Sequence, residues 1–125
     1  MTRAARIPDE THPITISPTG ARVTVRVGGV TVAESDRALS LAEASYPVVQ
    51  YIPLADVDQG LLRETVTRTF CPFKGEASYY TLTTPDGRSE TDLVWAYERP
   101  YDAVAEIAGH VAFYANRAEI TIGGE

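Results

Sequence analysis

From Arg22 the chain alternates: Val23, Val25 and Val27 take every second position, with Arg22, Thr24 and Arg26 beside them. Successive strand residues point to opposite faces, so this period of two predicts a half-buried strand. Gly28-Gly29 interrupts the pattern and Val30-Thr31-Val32-Ala33-Glu34 resumes it. That predicts a tight hairpin, because glycine accepts the positive φ such turns require. Leu39 and Leu41 predict a third short strand. Residues 46–52 predict a fourth, which Pro47 and Pro53 confine to an edge or interrupt. In residues 53–62, Leu54, Val57, Leu61 and Leu62 fall at helical spacing, a turn or two kept short by Gly60. Residues 65–70 are rich in β-branched side chains and run as a strand into Cys71-Pro72. Residues 78–84 and 92–98 flank Pro85-Asp86-Gly87, which is turn chemistry, and form a second hairpin. There Leu93, Trp95 and Tyr97 share one face and Val94, Ala96 and Glu98 the other. After Pro100, residues 101–108 predict a short helix with Asp102 as N-cap and Gly109 as its stop. Residues 111–114 and 118–122 close the chain as strands around Asn116-Arg117.

Pro8, Pro13 and Pro18 punctuate the start, so residues 1–21 read as an irregular leader in which His12-Pro13-Ile14-Thr15-Ile16 is a candidate edge strand. The rest, residues 22–125, reads as one domain of about eight short strands and two short helices. The fold class expected is mostly β, a compact curled antiparallel sheet or sandwich. At 125 residues and 44% hydrophobic the chain has enough apolar surface for one core.

Charge narrows the partners. The formal net charge of −6 argues against nucleic acid, whose binding depends on clustered Lys and Arg displacing counterions. No apolar run is long enough to span a bilayer, and the basic start lacks the apolar middle of a secretory signal, so no membrane partner is expected. The single cysteine, Cys71, offers no internal disulfide, which suits a reducing, cytoplasmic setting. One cysteine and two isolated histidines, His12 and His110, do not make a zinc site, and Glu34, Glu76, Glu90 and Asp92 read as a solvated acidic surface. No metal and no cofactor are expected. Gly28-Gly29 and Gly123-Gly124 lack the strand-to-helix setting of a phosphate loop.

The place where chemistry concentrates is Cys71-Pro72-Phe73-Lys74-Gly75-Glu76-Ala77-Ser78-Tyr79-Tyr80. Cys71 is a candidate nucleophile if a nearby cation, Lys74 or Arg68, lowers its pKa. The bland alternative is a buried cysteine acting as a small hydrophobe. Pro72 fixes an extended geometry, and Gly75 permits an unusual backbone or a close ligand approach. His110 is the natural base for Cys71 only if the fold brings them together, and His12 sits in the leader. Tyr79, Tyr80, Trp95, Tyr97, Phe113 and Tyr114 are either core or the walls of a pocket.

The segment Cys71 to Tyr80 resembles the hallmark Cys-Pro-aromatic-Lys-Gly-x-Ala-x-Tyr-Tyr of the domain-of-unknown-function 427 family. Val32-Ala33-Glu34-Ser35 with Tyr46-Pro47, then Trp95-Ala96-Tyr97 with Pro100, and the stretch Ile107-Ala108-Gly109-His110-Val111-Ala112-Phe113-Tyr114 resemble its other blocks in order. The resemblance covers residues 22–122 and implies a β-tent fold, similar to methionine sulfoxide reductase B and Yippee-type zinc proteins. Neither zinc binding nor sulfoxide reduction carries over: the Cys-x-x-Cys pairs are missing, and Asn116-Arg117-Ala118-Glu119-Ile120 has no cysteine. A nucleotidyltransferase-like activity would need a paired-aspartate metal motif that the sequence lacks.

Two functional readings follow. One is a small-molecule site, enzymatic or sensory, with Cys71 and Lys74 as candidate catalytic residues and Glu34, Cys71, Lys74, Tyr79, Trp95 and Tyr97 as candidate ligand contacts, Glu34 serving as acid or orienting group. The other is a non-catalytic interaction module or homodimeric structural protein, acting through an edge strand or a dimer interface.

Overall fold

The computed structural model describes residues 4–123 and turns the alternating runs into strands. They are β1 (Ile14–Pro18), β2 (Val23–Val27), β3 (Val30–Ser35), β4 (Leu39–Glu43), β5 (Val49–Pro53), β6 (Leu62–Cys71), β7 (Gly75–Thr83), β8 (Ser89–Ala96), β9 (His110–Phe113) and β10 (Glu119–Ile122). Three short 3₁₀ segments, Leu54–Asp56, Gln59–Leu61 and Asp102–Ile107, supply the helical content. The start Met1-Thr2-Arg3 and the end Gly124-Glu125 lie outside the described residues. No helix among the described residues is long and apolar enough to cross a membrane.

The glycine hairpin forms as its sequence dictates. Gly28 and Gly29 both take positive φ, 56° and 83°, and return the chain so that Val27 pairs with Val30. β10 adds to the far side of β2, giving a three-stranded sheet in the order β10-β2-β3. The other seven strands form one open antiparallel sheet in the order β1-β4-β5-β9-β8-β7-β6.

Alternation along the central strands builds a core on each face of the large sheet. Ile52, Val94 and Val111 pack with Val23, Val25 and Val32 of the small sheet. Their chain neighbours Tyr51, Trp95 and Ala112 belong to a second cluster with Leu41, Val104 and Ile107. The second face therefore has no sheet above it. The 3₁₀ segment Asp102–Ile107 covers part of it with Val104 and Ile107, both fully buried. The part left uncovered is where the cavity described below opens.

The leader's candidate edge strand forms, as β1, and three other expectations change. Ile14 and Ile16 of the leader pack on the second core, and β1 pairs with β4 as a sheet edge, so the ordered sheet begins before Arg22. Pro13 precedes that strand and Pro18 ends it, so neither removes a ladder donor from its interior. β5 is interior, between β4 and β9, for the same reason: Pro47 stays in the preceding loop and Pro53 is the final strand residue. Leu93 leaves the face of Trp95 and Tyr97 for the first core, where a register shift between β7 and β8 coincides with a positive φ of 52° at Asp92. The cap of the last 3₁₀ segment is Tyr101 rather than Asp102, with no side-chain cap bond, while Gly109 ends it at φ 76°.

Candidate functional site

The hallmark segment folds as a tight turn between β6 and β7. The Lys74 backbone N–H donates to the Cys71 carbonyl at 3.2 Å, and Pro72 takes the second turn position, where its fixed φ is pre-set. Gly75 then re-enters the strand at φ 112°, a conformation that side-chain-bearing residues avoid, and a Cβ there would stand 3.4 Å from the Arg99 carbonyl oxygen. Backbone bonds clamp the turn on both sides: Arg6 N–H donates to the Pro72 carbonyl at 2.8 Å and Tyr101 N–H to the Lys74 carbonyl at 3.1 Å.

The turn sends its two long side chains to different work. Phe73 is buried, with the His12 ring stacked on it at 3.9 Å between centroids and 6° between planes, and the Arg6 guanidinium 4.9 Å from its centre. Lys74, also buried, donates to Glu43 Oε1 at the end of β4 and lies 5.8 Å from the centre of the Tyr97 ring. The second Glu43 oxygen, Oε2, is 2.8 Å from His12 Nε2. Burial acts to raise the Glu43 carboxyl, but the hydrogen bonds and charges of Lys74 and His12 outweigh it and hold the group below the ordinary carboxylate range. A buried ion pair of this kind is a weak source of net stability, so its presence on a cavity wall points to a site.

That cavity, about 280 Å³, opens on the second face of the large sheet. Leu41 and Glu43 of β4, with Val49 and Tyr51 of β5, form one side. Lys74 with Tyr79 of β7, and Trp95 and Tyr97 at the end of β8, form the other. Tyr46 and Tyr114 stand at its rim, 62% and 36% exposed. Trp95 Nε1–H donates to the Tyr51 hydroxyl at 3.2 Å, the two rings meeting edge to face. Trp95 also lies 4.6 Å from the Tyr114 ring, while the Tyr79 hydroxyl shares a 2.9 Å bond with Thr69 Oγ1. Burial pushes the Tyr51 and Tyr97 phenols well above their ordinary range, the Glu43 charge adding to both. Tyr114 is pushed up to about 12 by burial and then by its hydrogen bond with Tyr79. These hydroxyls therefore keep their protons at neutral pH and act as donors.

Of the candidate contacts read from sequence, the fold brings Lys74, Tyr79, Trp95 and Tyr97 to one cavity, with Tyr114 beside them. Cys71 is half-buried against the second core and does not line the cavity. Glu34 lies exposed on β3, 3.9 Å from Arg22 Nη1, and the carboxylate at the lysine is Glu43 instead. Tyr80 and Phe113 belong to the first core. His110 bonds the Ala108 carbonyl through Nδ1 at 2.9 Å and borders a separate hollow with Leu54 and Tyr80, so it offers Cys71 no base. Sequence reasoning missed Glu43, Tyr46, Tyr51 and the role of His12. One signal was available: Leu39, Leu41 and Glu43 keep a period of two, which places the carboxylate on the same face as the leucines. Among the described residues no group of three His, Cys, Asp or Glu side chains is gathered as for a metal ion.

No curated protein matches the sequence. A family model described as Domain of unknown function (DUF427) does match, over residues 15–124, which takes in all but the first residue of β1, the turn that carries Lys74 and the strands that line the cavity. The chain belongs to the domain-of-unknown-function 427 family.

Proposed function

We propose that this domain binds a small molecule in the cavity that holds Lys74. One observation carries the reading: five of the seven tyrosines, the only tryptophan and the only lysine line one opening. Aromatic walls with a few placed polar groups are the usual make-up of a ligand pocket, and the volume is at the small end of the range for such sites. Thiol chemistry is not part of the reading, because Cys71 faces the core and the lysine ammonium is taken by Glu43. Any proton transfer to a ligand would run through Lys74 or Glu43, the charged groups on the wall. The acidic net charge and the single unpaired cysteine support a cytoplasmic setting without nucleic acid. The test is mass spectrometry of the intact protein purified without denaturation, expected to show a bound compound of defined mass that is lost on unfolding. If the folded protein carries nothing, and a broad metabolite mixture leaves Trp95 fluorescence unchanged, the reading fails.

A second reading, an interaction module or homodimer, has its own observation. A hollow of about 410 Å³ between β5, β9 and β10 is walled largely by apolar groups, and Val48 and Ile122 at its edge are 55% and 51% exposed. Exposed apolar patches of this kind mark association surfaces. On this reading, light scattering across a concentration series shows a dimer that Val48→Asp dissociates. A monomer at all concentrations removes the homodimer.

A further inference from the structure

The hydrogen-bonding capacity at the inner end of the cavity is unbalanced. Both Glu43 oxygens already hold a partner, one bonded to Lys74 and the other to His12. Lys74 spends one of its three N–H donors on Glu43 and none on another side chain among the described residues. The Tyr51 oxygen accepts from Trp95, which leaves its proton without an acceptor among the described residues. Tyr97, only 8% exposed, makes no hydrogen bond through its hydroxyl within the described residues. The polar end thus offers donors in excess of acceptors. Since no buried side-chain N or O among the described residues lacks a partner, these donors face the open cavity. An occupant that displaces water from them without replacing its acceptors would leave them unpaired at a cost. A ligand that fits brings acceptor oxygen.

Charge decides which kind. The Lys74 ammonium is neutralised by Glu43 where it stands, and His12, on the other Glu43 oxygen, does not line the cavity, so the pair that does line it presents no net charge to an occupant. A carboxylate would gain from Lys74 but meet Glu43 at close range, and an ammonium would gain from Glu43 and the aromatic faces but meet Lys74, already at the Tyr97 ring. An uncharged acceptor meets neither penalty. The walls that complete the cavity include the aromatic rings of Trp95, Tyr114 and Tyr46, a lining against which a planar ring can pack.

Resting on the binding reading above, we propose that the cavity takes a small planar ring compound, uncharged and bearing a carbonyl or amide oxygen that Lys74, Tyr51 and Tyr97 receive. Three compounds of one shape separate the alternatives: benzamide, benzoate and benzylamine, each titrated at neutral pH into the full chain and followed by Trp95 fluorescence. Benzamide is expected to saturate with an affinity at least about tenfold above the other two, the size of one well-placed uncharged hydrogen bond and a repelled charge. Tyr97→Phe, which keeps the ring, is expected to weaken benzamide about fivefold while leaving the melting temperature near that of the parent, because the hydroxyl it removes bonds nothing among the described residues. Benzoate or benzylamine binding as tightly as benzamide overturns the class while the binding reading stands. Unchanged benzamide affinity in Tyr97→Phe overturns the assigned donors. No saturable response to any of the three also overturns the class, and co-purification, which uses no chosen probe, then decides the binding reading on its own.

Discussion

Replacing Lys74 with methionine is expected to lower the unfolding free energy by about 3 kcal/mol, at the low end of what breaking one side of a buried ion pair costs. The loss comes from what remains. Glu43, with a side chain 13% exposed, would keep its charge in a desolvated place with only His12 for a partner. Removing both charges in Lys74→Met/Glu43→Leu is expected to recover most of the loss, since well-packed apolar groups can replace a buried pair at little cost. Urea denaturation of the parent and the two variants measures both steps, and a single variant within about 0.5 kcal/mol of the parent would mean that the pair is effectively solvated. The pH dependence gives the sign independently. Because the folded Glu43 carboxyl is depressed, its contribution is complete above the ordinary carboxylate range and is lost as pH falls through the lowered value. Lys74→Met removes the main cause of that depression, so its stability should fall less steeply on acidification than the parent's.

The parts of this structure visible in sequence are those set by neighbours along the chain. The Val23 to Val27 alternation, the Gly28-Gly29 turn and the Pro85-Asp86-Gly87 turn specify hairpins because period and turn chemistry are local. At Cys71 to Gly75 the sequence marked an unusual backbone at Gly75 but an extended geometry at Pro72; the segment folds as a turn instead, because the fixed φ of proline also suits the second turn position. What surrounds Lys74 was not legible, because it depends on pairings distant in sequence. Glu34 and Glu43 both end alternating runs, and only the strand order tells that β4 borders β5 on the large sheet while β3 borders β2 on the small one. His12 reaches Glu43 across a sequence separation of 31 residues, carried there by the chain leading into β1, whose prolines made it look irregular. Cys71 drew attention by its chemistry, yet side-chain direction at the end of β6 turns it to the core. Residue type suggested reactivity there, and packing assigned it elsewhere.

The cavity tyrosines should dominate the alkaline limb of stability. A phenol whose folded pKa is raised contributes stability that is complete below its unfolded value, about 10, and is lost as pH rises towards the folded value. Tyr51 and Tyr97, 1% and 8% exposed, are both raised, chiefly by burial. Above pH about 10 each contributes a slope of up to about 1.4 kcal/mol per pH unit, so together they are expected to remove up to about 2.8 kcal/mol per unit. Tyr114 adds less because it is partly exposed. Urea denaturation between neutral pH and pH about 11 should therefore show constant stability and then a steep fall. The tyrosinate absorbance of the buried phenols should appear together with loss of tertiary signal, since their ionisation waits for unfolding. Tyr97→Phe removes one of the two deeply buried protons and should reduce the slope by up to about 1.4 kcal/mol per pH unit while leaving the neutral plateau in place. A parent whose stability stays flat through pH about 11, or whose full tyrosinate signal develops while it remains folded, would show that water reaches these hydroxyls freely. The donors assigned to the ligand would then be hydrated, and the excess of donors over acceptors would no longer select an occupant.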